Sequence, residues 1–246
     1  MFTQTDRSAW ICGGEIQCRE QPAEVGRAYH LILLGPPGVG KGTQAELLCS
    51  RLGTCHLSTG DVFRAAKDAE DHQCSPAIRT ALEAMRRGDL VSDDTVIDMV
   101  RERAACLKCR IGFLLDGFPR TVEQAMALDS LLTDLNLDLD GVLSYELDID
   151  AIVDRLSGRR TCEHCGAVYH VAARKPIVDG VCDHCSGALV QREDDRPESI
   201  RVRMAAYEEK TRPLSDYYRE AGKLVSVSAV GTAEAIFARA LQTLGV

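Results

Sequence analysis

Gly35-Pro36-Pro37-Gly38-Val39-Gly40-Lys41-Gly42-Thr43 separates an apolar run, Ala28-Tyr29-His30-Leu31-Ile32-Leu33-Leu34, from a segment in which Thr43, Ala45, Leu47 and Leu48 recur at helical spacing up to Gly53. A short apolar run bounded by glycine reads as a buried parallel strand, and the spacing that follows reads as a helix. Glycines at 35, 38, 40 and 42 let the backbone turn its amide hydrogens inward, with the positive end of the helix behind them. Lys41 adds a mobile positive charge. The general phosphate-binding pattern places Ser or Thr directly after Gly-Lys; here Gly42 intervenes before Thr43, so the loop is a variant of the Walker form. Its setting between strand and helix argues against a glycine turn that binds nothing.

Further strands are predicted at Ile111-Gly112-Phe113-Leu114-Leu115 ending in Asp116, at residues 141–147 and at residues 223–227. Strands alternating with helical stretches give an α/β fold, a parallel sheet flanked by helices with ligands at the carboxyl ends of its strands. Two segments break the rhythm. Residues 58–91 are mostly helical and charged, and residues 161–193 are rich in Cys, His, Gly and short polar turns. Residues 1–28 carry neither period and read as a loosely held extension.

Over 246 residues, 45% hydrophobic and 27% charged residues are ordinary for a globular protein, while the net charge of −8 argues against wholesale binding to nucleic acid or an anionic membrane. Aromatics at 5% leave little for base-stacking platforms. Eleven cysteines in a chain of this size, opening on a segment unlike a signal peptide, indicate a reducing compartment, hence the cytoplasm. No run approaches the roughly twenty apolar residues that cross a bilayer.

Continued through Gln44, the loop resembles that of the adenylate kinase family of nucleoside monophosphate kinases, and the resemblance covers residues 30–246. Leu57-Ser58-Thr59-Gly60-Asp61-Val62-Phe63-Arg64 resembles the family's entry to the monophosphate site, and Asp116-Gly117-Phe118-Pro119-Arg120 with Gln124 its second signature. The resemblance implies a P-loop nucleoside triphosphate hydrolase-like three-layer fold with a parallel five-stranded sheet. The core would be 29–57, 92–157 and 196–246, a helical AMP-binding insert 58–91, and a lid 158–195. It implies transfer of a phosphoryl group from MgATP to AMP, giving two ADP, by a monomer with no nucleic-acid or membrane partner. ATP would meet Gly38, Val39, Gly40, Lys41, Gly42, Thr43, Arg155, Arg159, Val168, Tyr169 and Gly231. AMP would meet Thr59, Arg64, Asp89, Leu90, Val91, Gly117, Phe118, Pro119, Arg120, Gln124, Arg192 and Arg203. The chemistry would fall to Lys41, Asp116, Arg120, Arg155, Arg192 and Arg203. Pyrimidine-specific relatives usually have alanine at the place of Thr59 and a shorter lid, so both features favour AMP. The donor base stays open between ATP and GTP, because backbone near Arg155 and Gly231 would hold it. Tyr169 stays open between the ATP side of the lid and lid packing.

These residue types suit the chemistry. Asp116, at the end of a buried strand, can orient Mg²⁺ beside the loop, and Arg64 and Arg120 can each clamp a phosphate bidentately. Gln124, one helical turn beyond Arg120, can both donate to and accept from an adenine edge. Arg155 and Arg159, four apart, repel on one helix face unless an anion lies between them. Arg160, Arg196 and Arg201 read as solvated. The attacking phosphate oxygen is already anionic, so alignment and charge neutralisation matter more than a general base.

Cys162-Glu163-His164-Cys165 and Cys182-Asp183-His184-Cys185 form two Cys-x2-Cys knuckles sixteen residues apart. That spacing predicts a closed, structural Zn²⁺ site of four thiolates. Cys106 and Cys109 have the internal spacing but no second pair nearby, and Cys49, Cys55 and Cys74 look incidental. A zinc ribbon that binds nucleic acid is the competing reading; the acidity disfavours it and the glycine loop would go unused.

Overall fold

The computed structural model describes residues 27–66, 74–87, 91–102, 107–108 and 111–246, without the side chains of residues 61, 64 and 65. The readings of residues 1–26, Asp89, Leu90, Cys106, Cys109 and the Arg64 side chain lie outside the described residues. Strands β1 (Tyr29–Leu34), β2 (Cys55–Ser58), β3 (Gly112–Asp116) and β4 (Gly141–Glu146) are followed by a small insert of β5 (Arg159–Cys162), β6 (Val168–His170) and β7 (Leu189–Val190), and then by β8 (Leu224–Ser228). Helices are α1 (Lys41–Leu52), α2 (Thr59–Ala66), α3 (Pro76–Arg86), α4 (Asp93–Glu102), α5 (Val122–Asp134), α6 (Ile149–Ser157), α7 (Pro197–Ala206), α8 (Pro213–Glu220) and α9 (Ala233–Leu244). The main sheet is parallel and five-stranded in the order β2-β3-β1-β4-β8.

The near-continuous burial of β1 follows from helices on both faces. Alternate residues point opposite ways. Ile32, Leu34, Phe113 and Leu115 pack with α3, α4, α5 and α8, through Ile78, Met99, Leu128 and Tyr218 among others. Leu31, Leu33, Leu114 and Leu143 pack with α1 and α9, through Leu48, Leu52, Ile236 and Ala240. The strand β2 goes beyond the sequence reading: it is four residues long at the sheet edge and includes His56 and Ser58, so no apolar run announces it.

Register aligns the carboxyl ends: Asp116 lies opposite Leu33 of β1 and Ser58 of β2. The glycine loop after β1, the first turn of α2 and the Gly117 turn after β3 therefore meet at one sheet edge, where a parallel α/β sheet collects ligands. The insert is a separate antiparallel sheet in the order β6-β5-β7 with its own small cluster of Cys162, Tyr169 and Cys182. Among the described residues, no helix is long and apolar enough to cross a membrane.

Candidate functional site

Gly35 and Gly38 hold φ angles of 135° and 84°, a region that favours glycine. Space forbids a side chain at either as well: a Cβ would lie 2.6 Å from the Tyr145 carbonyl oxygen at Gly35 and 2.5 Å from Leu156 Cγ at Gly38. The loop is thus clamped between β4 and α6. Val39 is buried, Gly40 caps α1 in the left-handed region, and Gly42 and Thr43 form its first turn. Lys41 Nζ donates to the carbonyls of Gly35 (2.6 Å) and Pro36 (3.0 Å). Desolvation brings its pKa down to about 8; the Asp116 charge opposes this, while Arg120, Arg203 and Arg159 push further down. Lys41 thus senses three arginine charges as well as the Asp116 carboxylate.

Burial works against ionisation of Asp116, but His56, Lys41 and Arg120 outweigh it and hold the carboxyl below its ordinary value. His56 Nε2 stands 3.7 Å from Asp116 Oδ2. On the other side of the loop, Arg155 donates to the carbonyls of Val39 (2.9 Å) and Ala229 (2.8 Å), and burial lowers its pKa. It therefore ties the loop to the turn after β8, where Gly231 adopts φ 104°.

Arg159 and Arg203 share a partner to which the sequence reading gave no role. Asp195 is fully buried; its carboxylate accepts from Arg159 Nε at 2.7 Å and from a second Arg159 nitrogen, and lies 3.5 Å from an Arg203 nitrogen. The same Arg203 nitrogen donates to the Asp194 carbonyl at 2.9 Å, and Arg192 Nε donates to Thr161 Oγ1 at 2.8 Å. The signal was present as Arg192-Glu193-Asp194-Asp195-Arg196, but an acid pair among arginines reads equally well as surface charge. Asp195→Ala is expected to destabilise the fold by about 3 kcal/mol, because it leaves the largely buried Arg159 without the carboxylate that takes two of its bonds, and to lower kcat. Thermal unfolding and steady-state kinetics measure both, and wild-type values would refute the role given to Asp195.

On the acceptor side, Thr59 Oγ1 donates to the Gly117 carbonyl at 2.9 Å, and Arg120 Nε donates to the same oxygen at 2.8 Å. Gly117, at φ 81°, precedes a cis Phe118–Pro119 bond. Phe118 is buried beneath it. Val91 is half-buried against the larger cluster. Gln124 is buried; its Oε1 accepts from the Arg120 amide at 2.8 Å and its Nε2 donates to Asp93 Oδ1 at 2.7 Å.

The four knuckle cysteines come together in the insert. All their Sγ atoms lie within 4.8 Å of one another, with Cys162 to Cys185 at 3.4 Å and Cys165 to Cys182 at 3.6 Å. Zn–S bonds of about 2.3 Å in a tetrahedron require sulfurs about 3.8 Å apart, so the cluster fits Zn²⁺. Burial resists ionisation at Cys182, but hydrogen bonds from Tyr169 and from the backbone of His184 and Cys185 bring the thiol down to about 6. At Cys165 burial and the neighbouring sulfurs push it up to about 12. Such crowded thiols ionise together only around a cation. Tyr169 packs inward: its hydroxyl lies 3.6 Å from Cys182 Sγ and accepts from the Asp183 amide at 2.8 Å. Val168, beside it on β6, is half-buried.

A parallel sheet in this order, with a glycine loop joining β1 to α1, defines a P-loop nucleotide-binding protein. The family profile described as adenylate kinase matches residues 33–223. Adenylate kinases of Anaeromyxobacter dehalogenans and Acidothermus cellulolyticus are 51% and 50% identical to this chain, each over 87% of it and over 99% and 97% of their own lengths. That of Carboxydothermus hydrogenoformans is 47% identical over 85% of this chain and 95% of its own. The chain belongs to the adenylate kinase family.

Proposed function

We propose that the chain catalyses reversible phosphoryl transfer from MgATP to AMP, giving two ADP. The observation that carries this reading is the glycine loop with its Lys41 beside the Asp116 strand end, next to the turn where Thr59 and Arg120 both donate to the Gly117 carbonyl. The loop amides and Lys41 would hold the donor phosphates, with Arg155 and Gly231 flanking the donor base. Thr59, Arg64, Arg120 and Gln124 would hold the acceptor. Arg159, Arg192 and Arg203 would neutralise charge as the phosphoryl group passes between them. Mg²⁺, arriving with ATP, would lie near Asp116 and offset phosphate charge.

Water competes as acceptor, so the site closes before transfer, and residues 58–91 and 158–195 are the segments proposed to move. Zinc in the Cys162, Cys165, Cys182 and Cys185 cluster would hold the second of these together. Both half-sites come from one chain, which supports a monomer. The acidic, cysteine-rich sequence supports a reducing compartment, hence the cytoplasm.

Incubation with ATP or GTP, Mg²⁺ and each nucleoside monophosphate tests the reading: ADP should form from ATP and AMP, and its absence would overturn the proposal. The Lys41 ammonium of the free protein is lost as pH rises through about 8. The ratio kcat/KM for MgATP should therefore be fully developed below that value and fall above it, and a flat profile across the range would contradict the role given to Lys41.

A further inference from the structure

The amide of Gln124 is nearly symmetric in shape, so its neighbours decide which end carries the acceptor and which the donor. Two of them point the same way. The Arg120 backbone amide can only donate, and it faces Oε1 at 2.8 Å; the Asp93 carboxylate, when ionised, can only accept, and it faces Nε2 at 2.7 Å. Turning the amide over would oppose two oxygens at one end and two N–H groups at the other.

Asp93 is itself held in place. Thr121, the N-cap of α5, accepts from the backbone N–H of Gln124 at 3.2 Å, so its hydroxyl proton is directed to Asp93 Oδ2 at 2.8 Å. The carboxylate thereby spans the first turns of α4 and α5, one oxygen to each partner. After these bonds, the Gln124 side chain retains one N–H and one oxygen lone pair. A 6-aminopurine offers an amino donor beside a ring-nitrogen acceptor, whereas a 6-oxopurine offers the reverse pattern.

We propose that Asp93 is a positioning residue that locks the orientation of the Gln124 amide and thereby makes the acceptor site select a 6-aminopurine over a 6-oxopurine monophosphate. The inference rests on the reading of Gln124 as the residue that meets the acceptor base. Sites that expect a particular hydrogen-bond pattern reject its reverse strongly, because buried polar groups are left facing their own kind.

Steady-state kinetics with AMP and IMP as acceptors test it on four proteins: Asp93→Ala, Asp93→Asn, Gln124→Ala and the double variant Asp93→Ala/Gln124→Ala. Asp93→Ala should raise KM for AMP by about tenfold and reduce the preference for AMP over IMP by a similar factor, with KM for MgATP unchanged. Asp93→Asn, which still offers an oxygen to Nε2, should recover most of the AMP affinity. The double variant should be no worse toward AMP than Gln124→Ala, because both changes remove the same contact. Additive losses, or parallel increases in KM for AMP and MgATP, would make Asp93 a purely structural link and overturn the proposal. Unchanged AMP kinetics in Gln124→Ala would overturn the underlying reading of Gln124, and the proposal with it. A normal Asp93→Ala alongside an impaired Gln124→Ala would overturn the proposal alone.

Discussion

Lys41→Ala is expected to lower kcat by roughly 100- to 1,000-fold, the scale of removing one preorganised charge or donor from a developing anion. The fold should survive. In the described structure Nζ donates only to the Gly35 and Pro36 carbonyls of its own loop, and the loop conformation rests on the glycine backbone and its contacts with Tyr145 and Leu156. Removing the ammonium relieves its desolvation and its repulsion with the three arginines but forfeits its attraction to Asp116, so the melting temperature should change little. Single-turnover kinetics together with calorimetry separate the two effects. Near-normal turnover would remove Lys41 from the chemistry, and a large drop in melting temperature would show that it acts as a structural tie.

Cys182→Ser, or stripping the metal with a chelator, should act in the opposite way, on stability first. The insert's cluster contains only Cys162, Tyr169 and Cys182 as buried members, too little apolar surface to hold three short strands together. Metal binding in such a unit supplies its folding energy directly. A fall in melting temperature on the order of 10 °C is expected, from several kcal/mol spread over a chain of this size. Limited proteolysis should then cut first between residues 171 and 180, where Ile177 is 89% exposed and Val178 59%. Elemental analysis that finds no zinc in protein prepared without chelator would refute the metal assignment.

The most legible parts of the sequence were those whose physics is local. The strand before the glycine loop is a continuous apolar run because both its faces are covered, and two Cys-x2-Cys knuckles announce a tetrahedral site through spacing alone. What stayed hidden depends on partners distant in the chain. His56 sits in a four-residue edge strand and gains meaning only beside Asp116, sixty residues on. Asp195 is one acid among several until burial and its arginine bonds distinguish it. Asp93 matters through a glutamine on another helix. Arg155 and Arg159, four apart, read as sharing one helix face, but α6 ends at Ser157 and Arg159 lies on β5; the first reaches the carbonyls of Val39 and Ala229 and the second the Asp195 carboxylate. Tyr169 follows a knuckle in the chain, and only tertiary packing turns its ring toward the sulfurs.

Arg159 lies on β5 at the root of the insert, and Arg203 lies on α7 beyond it, yet both reach the carboxylate of Asp195, with Asp194 Oδ2 a second partner for Arg203 at 3.1 Å. The genetic fates of Arg159 and Asp195 are therefore joined. A lineage that replaced Arg159 with a neutral residue would leave a fully buried acid facing only the more distant Arg203, so neutral drift at Arg159 and Asp195 is expected in concert.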